Sequence, residues 1–299
     1  MIRSKRDLAI GILLILPGFL LMGVFVYGFI AWTIRVSISQ WDSIVPDYSY
    51  VGLQNYHELL NNERFQIDIL NTIFFTIFFL SFCIILGFIL AILLERINRK
   101  AEHFFRNLFL LPMAISFVVT GVAWRWIFNP TVGLNSFLKA LGVKNLWGWA
   151  TDPTSILGFH LALIPVIIAA GWQLTGYTMA MLIAGLRGIP EDIFEASRID
   201  GASELQIIWH ITIPLLKSVF LAAIILLGHI SLKIFDLVYT MTGRGPAFAT
   251  DFPGIFMWDT TFKGNRYAEG AAISVFMLFL VAGVIIPYLV NILRKEKNT

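Results

Sequence analysis

The side chains with the clearest chemical potential lie in one polar stretch, residues 188–206, which reads Gly-Ile-Pro-Glu-Asp-Ile-Phe-Glu-Ala-Ser-Arg-Ile-Asp-Gly-Ala-Ser-Glu-Leu-Gln. Its carboxylates (Glu191, Asp192, Glu195, Asp200, Glu204) alternate with the apolar Ile193, Phe194 and Ile199. That mixture suits recognition of another surface rather than bond-making. Pro190 is predicted at a first helical position, with Glu191 and Asp192 in the first turn, where acids complement the helix dipole. A short helix through Glu195 and Arg198 then ends at Asp200-Gly201. Gly201 can take positive φ as a C-cap or let another backbone approach. Ser203 and Glu204 begin a second helical stretch to about His210, and Pro214 marks a further boundary. A solvated amphipathic loop is the simpler reading. The sharper one is a helix whose acids and apolar residues fit a cleft on a partner.

A second set of polar residues interrupts long apolar runs, where polar groups are expensive and are functional candidates. Gln173 and Tyr177 are four apart and share a helix face beside Trp172. An aromatic ring with an adjacent amide suits the apolar face and hydroxyls of a sugar. The same amide and Thr175 equally suit hydrogen bonding to a neighbouring helix. Further along stand His229, Ser231, Lys233 and Asp236. Lys233 and Asp236 are spaced to pair as an internal salt bridge, or with Ser231 to form a polar wall. Arg125 between two tryptophans suits snorkelling to an interface, and His160 reads as structural. There is no H-E-x-x-H, no G-x-S-x-G and no G-x-x-x-x-G-K-[ST] phosphate loop.

The runs that must position these residues dominate the composition. Of 299 residues, 58 % are hydrophobic and only 14 % charged, with mean hydropathy +0.78. Soluble domains are about a quarter charged, so the chain reads as an integral membrane protein. A net charge of +3 with basic residues at the ends of apolar runs does not suggest nucleic acid. The single cysteine, Cys83, reads as a small buried hydrophobe. Six stretches are long enough to span a bilayer: Leu8 to Ile34, Ile69 to Leu94, Leu108 to Phe128, Ile156 to Ile183, Val219 to Met241, and Ala271 to Leu293. The first follows Arg3, Lys5 and Arg6 but is too long for a signal-peptide core and is read as a retained span. No internal repeat emerges, so one transmembrane domain over 1–299 is expected, all-α, with residues 185–217 as a loop within it.

The N-terminus, the 95–107 loop, the 184–218 loop and the C-terminal tail carry three, four, three and three Lys or Arg; the other three loops carry two, two and three. The positive-inside rule therefore puts both termini and the polar stretch in the cytoplasm. Trp41, Trp147, Trp149 and Trp258 then fall in the outer loops, as expected at an interface.

The run Glu195-Ala196-Ser197-Arg198-Ile199-Asp200-Gly201-Ala202, continuing to Gln206, Trp209, Ile211 and Pro214, resembles the EAA loop of ABC-importer permeases. The wider chain resembles the carbohydrate branch of that family, of the maltose and glycerol-phosphate type. Matching features are Pro17-Gly18, Gly52-Leu53-Gln54-Asn55-Tyr56, Phe128-Asn129-Pro130 with Gly133, and Ile234-Phe235-Asp236-Leu237 leading to Met241-Thr242-Gly243-Arg244-Gly245-Pro246. Ser197, Ile208, Ser218 and Arg244 depart from the usual pattern, and none removes the acids or the glycine turn.

The resemblance implies six transmembrane helices in the inner membrane. It implies coupling through Glu195, Ala196, Arg198, Asp200, Gly201 and Ala202 to two ATPase subunits. It also implies a second homologous permease and an extracytoplasmic sugar-binding protein. ATP and Mg would be used by the ATPase, since this chain has no phosphate loop and is not itself an enzyme. The substrate pathway is expected to include Trp172, Gln173, Tyr177, Ser231 and Lys233. The stretch Lys233 to Pro246, with Thr250-Asp251-Phe252-Pro253, is similar to permeases of glucose or mannose importers. The competing class is an ion-coupled secondary sugar transporter, which usually needs buried acids near the midplane; of the acids in these runs, the sequence singles out Asp236, near an end.

Overall fold

The computed structural model describes the backbone of residues 5–144 and 146–296, and the side chains of 11–144 and 146–286. Arg3 lies outside the described residues, as do the side chains of Lys5, Arg6 and the basic C-terminal tail. In chain order the helices are α1 (Lys5–Met22), α2 (Phe29–Ser37), α3 (Gln54–Asn61), α4 (Glu63–Glu95), α5 (Arg99–Leu110), α6 (Phe117–Ile127) and α7 (Leu134–Ala140). A small antiparallel hairpin follows, β1 (Ser155–Ile156) and β2 (Phe159–His160), with Ser155 opposite His160. Then come α8 (Leu163–Leu186), α9 (Glu191–Ile199), α10 (Glu204–Ile207), α11 (Ile213–Leu215), α12 (Lys217–Leu232), α13 (Asp236–Met241), α14 (Pro253–Trp258) and α15 (Tyr267–Glu296).

Among the described residues, four helices are long and apolar enough to cross a bilayer: Gly11–Ser37, Glu63–Glu95, Leu163–Leu186 and Tyr267–Ile286. Two bent pairs raise the number to six if each counts as one span. The stretch expected as one span from Leu108 to Phe128 is broken. Pro112 sits in a tight 3-10 turn, Ser116 caps a new helix by accepting the Val119 N–H, and the two limbs meet at 98°. The stretch Val219 to Met241 is likewise interrupted: α12 stops at Leu232 and helix resumes only at Asp236, after an irregular backbone at Lys233 and Phe235. A 67° bend at Leu216 separates α12 from the preceding helix, beside Pro214. The span expected from Ile156 begins at Leu163 instead, because Leu157 and Gly158 take positive φ and turn the chain into a hairpin. That hairpin is the exception to the all-α expectation.

The chain divides into two compact units: residues 1–62 with 256–279, and residues 63–255 with 280–299. In the first, the buried Asn55 amide donates to the Ser37 and Ser39 carbonyls at 2.9 and 2.8 Å. Trp41 packs on Tyr267 at 4.9 Å and its carbonyl accepts the Ala268 N–H. The apolar side chains of Gly11–Ser37 are mostly exposed, Leu14 at 76 %, as suits a helix in contact with lipid or another chain.

In the second unit α4 and α8 form the core. Phe75, Phe79 and Cys83 pack with Leu163, Val166 and Ala170 near one end, and Ala91 and Leu94 with Met179, Leu182 and Leu186 near the other. Lipid is as apolar as these side chains, so such helices associate through close fit and hydrogen bonds rather than water exclusion. Gly176 shows the fit: a Cβ there would overlap the Phe109 carbonyl at the end of α5. Gly176→Ala is therefore expected to cost about 1–3 kcal/mol, the usual scale of overpacking. Gly228→Ala, which meets nothing within 4 Å, is expected to be neutral. Thermal unfolding of the purified variants in detergent checks this, and equal midpoints would refute the close-approach argument.

Candidate functional site

The polar stretch folds as two short helices about a glycine turn, with each terminus satisfied locally. Pro190 is the residue before α9 rather than its first helical residue, with extended ψ of 137°, and Glu191 and Asp192 open the helix. At the other end the Ala202 N–H reaches the Ser197 carbonyl and the Gly201 N–H the Arg198 carbonyl, at 3.0 and 3.1 Å. This nested pair is a Schellman motif, which needs a left-handed residue between its bonds. Gly201 supplies it with φ of +80°. Ser203 then accepts the Gln206 N–H while the Gln206 side chain accepts the Ser203 N–H, a reciprocal capping box. The helical path from Glu204 continues through a wide turn at Ile208–Thr212 to Leu215, beyond the expected limit near His210.

The charges sort into two groups. Glu191, Asp192, Glu195 and Asp200 are exposed and form no ion pair among the described residues, and Ala196 and Ile199 are exposed beside them, Ile199 at 85 %. Trp209 and Leu205 add exposed apolar surface nearby in the chain. Arg198 instead turns inward on its own element: its Nε meets Glu204 at 3.3 Å, and Glu204 also meets Arg96, after α4, at 2.9 Å. These pairs are about half exposed, so each contributes little to stability. A firmer anchor lies behind them. The Glu102 side chain, 6 % exposed, accepts Arg187 at 2.7 Å and lies 3.5 Å from Arg106, while Arg187 also reaches Glu95 at 2.9 Å. The Glu102 hydrogen bond holds the Arg187 guanidinium above its ordinary pKa. Arg187 follows directly on α8, so this network ties the start of the polar stretch to α4 and α5.

The expected pathway residues differ in exposure and in partners. Trp172 is 40 % exposed and meets Trp124 edge-on at 5.7 Å. Gln173 is buried, and its amide donates to the Ile115 carbonyl at 2.5 Å, at the break between α5 and α6; its Oε1 has no hydrogen-bond partner among the described residues. Tyr177 is half-buried. Ser231 is buried and bonds Thr76 at 2.9 Å and the Gly228 carbonyl at 2.8 Å. Lys233 is exposed at the irregular backbone after α12, and it forms no ion pair with Asp236. The two stand either side of a helix break, so the i, i+3 geometry that would pair them is lost.

One cluster escaped the sequence reading. At the α4 end remote from the polar stretch, Arg64 pairs with the fully buried Asp251 at 2.5 Å and lies over the Phe248 ring at 5.1 Å. Asp68, also fully buried, neighbours Asp251. Asn71 donates to the Phe248 and Asp251 carbonyls at 2.9 and 3.0 Å, and its own oxygen faces His160 Nδ1 at 2.9 Å. The cluster binds the 242–252 loop and the hairpin to the head of α4. The polar residues Arg64, Asp68 and Asn71 at spacings of four and three were the only available signal.

These features define an integral membrane chain with broken helices around an α4–α8 core and a capped helical element standing outside it. Residues 83–298 match the family described as "Binding-protein-dependent transport system inner membrane component", and the chain belongs to that family of ABC-transporter permeases. It is 38 % identical to the xylose/arabinose import permease protein XacH of Haloferax volcanii over 91 % of this chain and 84 % of that one. It is 33 % identical to the trehalose/maltose transport system permease protein MalF of Thermococcus litoralis over 95 % and 94 %. Its fold is similar to a chain in the crystal structure of a bacterial ABC transporter involved in the import of alginate, with TM-score 0.80, 18 % identity and 94 % of each chain covered.

An added Cβ at Gly201 would meet nothing within 4 Å, so substitution there costs backbone strain rather than a clash, about 1–2 kcal/mol for a left-handed L-residue. Gly201→Val is expected to abolish transport while the chain still inserts in the membrane. Gly201→Asn, which tolerates that conformation, is expected to retain most of it. Substrate uptake with immunoblotting of membranes checks both, and normal uptake by Gly201→Val would refute the turn's role.

Proposed function

We propose that this chain is a permease subunit of an ATP-driven sugar importer in the cytoplasmic membrane, forming half of the translocation pathway. The observation that carries this reading is the 185–217 element. Its helix, Schellman turn and capping box hold outward an exposed apolar residue and four carboxylates that form no ion pair among the described residues, and the Glu102–Arg187 network ties its base to the core. In this reading both termini and the element face the cytoplasm, where Glu195, Ala196, Asp200, Gly201 and Ala202 contact an ATPase subunit while Arg198 braces the element through Glu204. A second permease completes the pathway and a second ATPase serves it. An extracytoplasmic binding protein delivers the sugar. ATP and Mg belong to the ATPases. Closure of the ATPases moves the two elements together, and α8, continuous from Leu163 to Leu186, carries that motion across the bilayer.

The sugar assignment draws on the names of relatives and on side-chain chemistry. Trp172 and Tyr177 offer aromatic surface on the α8 side, and Gln173 holds the broken α5–α6 backbone that flanks it. Glucose and mannose are the first substrates to try, on the resemblance carried by Lys233–Pro246. Xylose, arabinose, trehalose and maltose follow from relatives.

Co-purification from detergent with the cognate ATPase tests the assignment. Wild type is expected to retain the ATPase and Glu195→Lys to lose it. A wild-type chain that purifies alone and moves sugar without ATP would overturn the importer reading in favour of a secondary carrier. Gln173→Leu, which leaves the Ile115 carbonyl unpaired, is expected to lower uptake without loss of the ATPase; unaltered uptake kinetics would remove Gln173 from the pathway.

A further inference from the structure

The β1–β2 hairpin breaks two rules of local structure at once. Its two-residue turn, Leu157-Gly158, has φ of +53° and +82°, the pattern of a type I′ turn, whose first position strongly favours Asn, Asp or Gly. Leucine stands there instead, and it is 96 % exposed. Neither feature helps the isolated chain, and the sheet is too small to impose them. Strain at an exposed apolar tip points to use.

The position of the hairpin narrows that use. The apolar run of α4 extends from Ile69 to Leu94, about 39 Å at 1.5 Å per residue, enough to cross a bilayer core. Phe159 packs on Phe74 and Phe78 at 5.6 and 5.0 Å, and Gly158 lies beside Phe74. The hairpin therefore runs alongside the first turns of the apolar run and not beyond it. His160 on Asn71 holds it there. Irregular backbone and open strand edges are not tolerated against lipid at such depth, only against protein or a water-filled cavity. In this chain Ser155, Ile156, Leu157 and Gly158 are all exposed.

Resting on the importer reading, we propose that the hairpin lines the aqueous outer mouth of the translocation pathway, and that Leu157 is the side chain an entering sugar meets there. Its apolar surface faces the C–H face of the sugar ring, and the Asn71–His160 clamp keeps the tip from yielding to lipid. Leu157 is thus a residue controlling passage and selectivity, distinct from the candidates in α8 and α12.

The test uses the full complex in proteoliposomes, with Leu157→Cys and Leu157→Asn. The wild-type chain, whose only cysteine is the buried Cys83, is the unlabelled control. Leu157→Cys is expected to react with a charged, membrane-impermeant thiosulfonate, at a rate that changes between ATP-free and vanadate-trapped states, and the adduct is expected to block uptake. Leu157→Asn suits the turn and so folds, and its uptake kinetics are expected to shift on the order of tenfold, the scale on which removing a small apolar group weakens a binding step. Reaction only with a lipid-soluble maleimide would place the tip against lipid and overturn the proposal. So would a reaction rate indifferent to nucleotide together with unchanged uptake in both variants. ATP-dependent uptake by wild type in the same vesicles tests the importer reading separately, because the labelling pattern is read without it.

Discussion

Backbone groups freed by a broken helix in a bilayer have no water to turn to, and this constraint organises the chain. Gln173 meets it at a break inside a span, and three further buried amides hold irregular segments at and beyond the span ends. Gln173 donates to Ile115 where the α5 and α6 limbs part. Asn71 donates to Phe248 and Asp251. Asn55 donates to Ser37 and Ser39 where α2 ends, and Asn135 to Pro130 and Trp147 after α6. Each amide sits on a regular helix and holds carbonyls of an irregular segment. Without such a donor each buried carbonyl would stand unsatisfied, at a cost of about 1–3 kcal/mol.

The same arrangement ties the membrane core to the capped element. Helix α8 grips the broken α5–α6 backbone through Gly176 and Gln173, packs along α4, and runs without interruption to Leu186. The next residue, Arg187, enters the Glu102 network. The capped element and the helix break are thus joined through one continuous helix, while the exposed carboxylates of the element form no ion pair among the described residues.

Much of the capped element was legible in the sequence. Pro190, Glu191, Asp200-Gly201 and Ser203 act over three to five residues, and local signals of that kind survive any tertiary context; only the position of Pro190 relative to the helix start and the extent beyond His210 differed. The long apolar runs were also readable, because length and composition alone decide whether a helix suits a bilayer. Their interruptions were not. Pro112 and Leu157-Gly158 sit inside stretches still apolar enough to read as continuous spans, and Lys233 is a single charge in another. The pairing of Lys233 with Asp236 failed for the same reason, since helical spacing has no meaning across an irregular backbone.

The sequence by itself determined that the chain is a membrane protein, which family it resembles, and that short capped helices flank the Gly201 turn. These rest on composition, residue order and hydrogen bonds between near neighbours. Only the tertiary structure decided where spans break, that Gln173 and Ser231 are buried and bonded to the Ile115 and Gly228 carbonyls, and that Arg64, Asn71 and Asp251 form a clamp. Such partners can lie far apart along the chain, 58 residues for Gln173 and Ile115 and 177 for Asn71 and Phe248. A hydrogen bond depends on distance in space, and no local rule carries that information across so many residues.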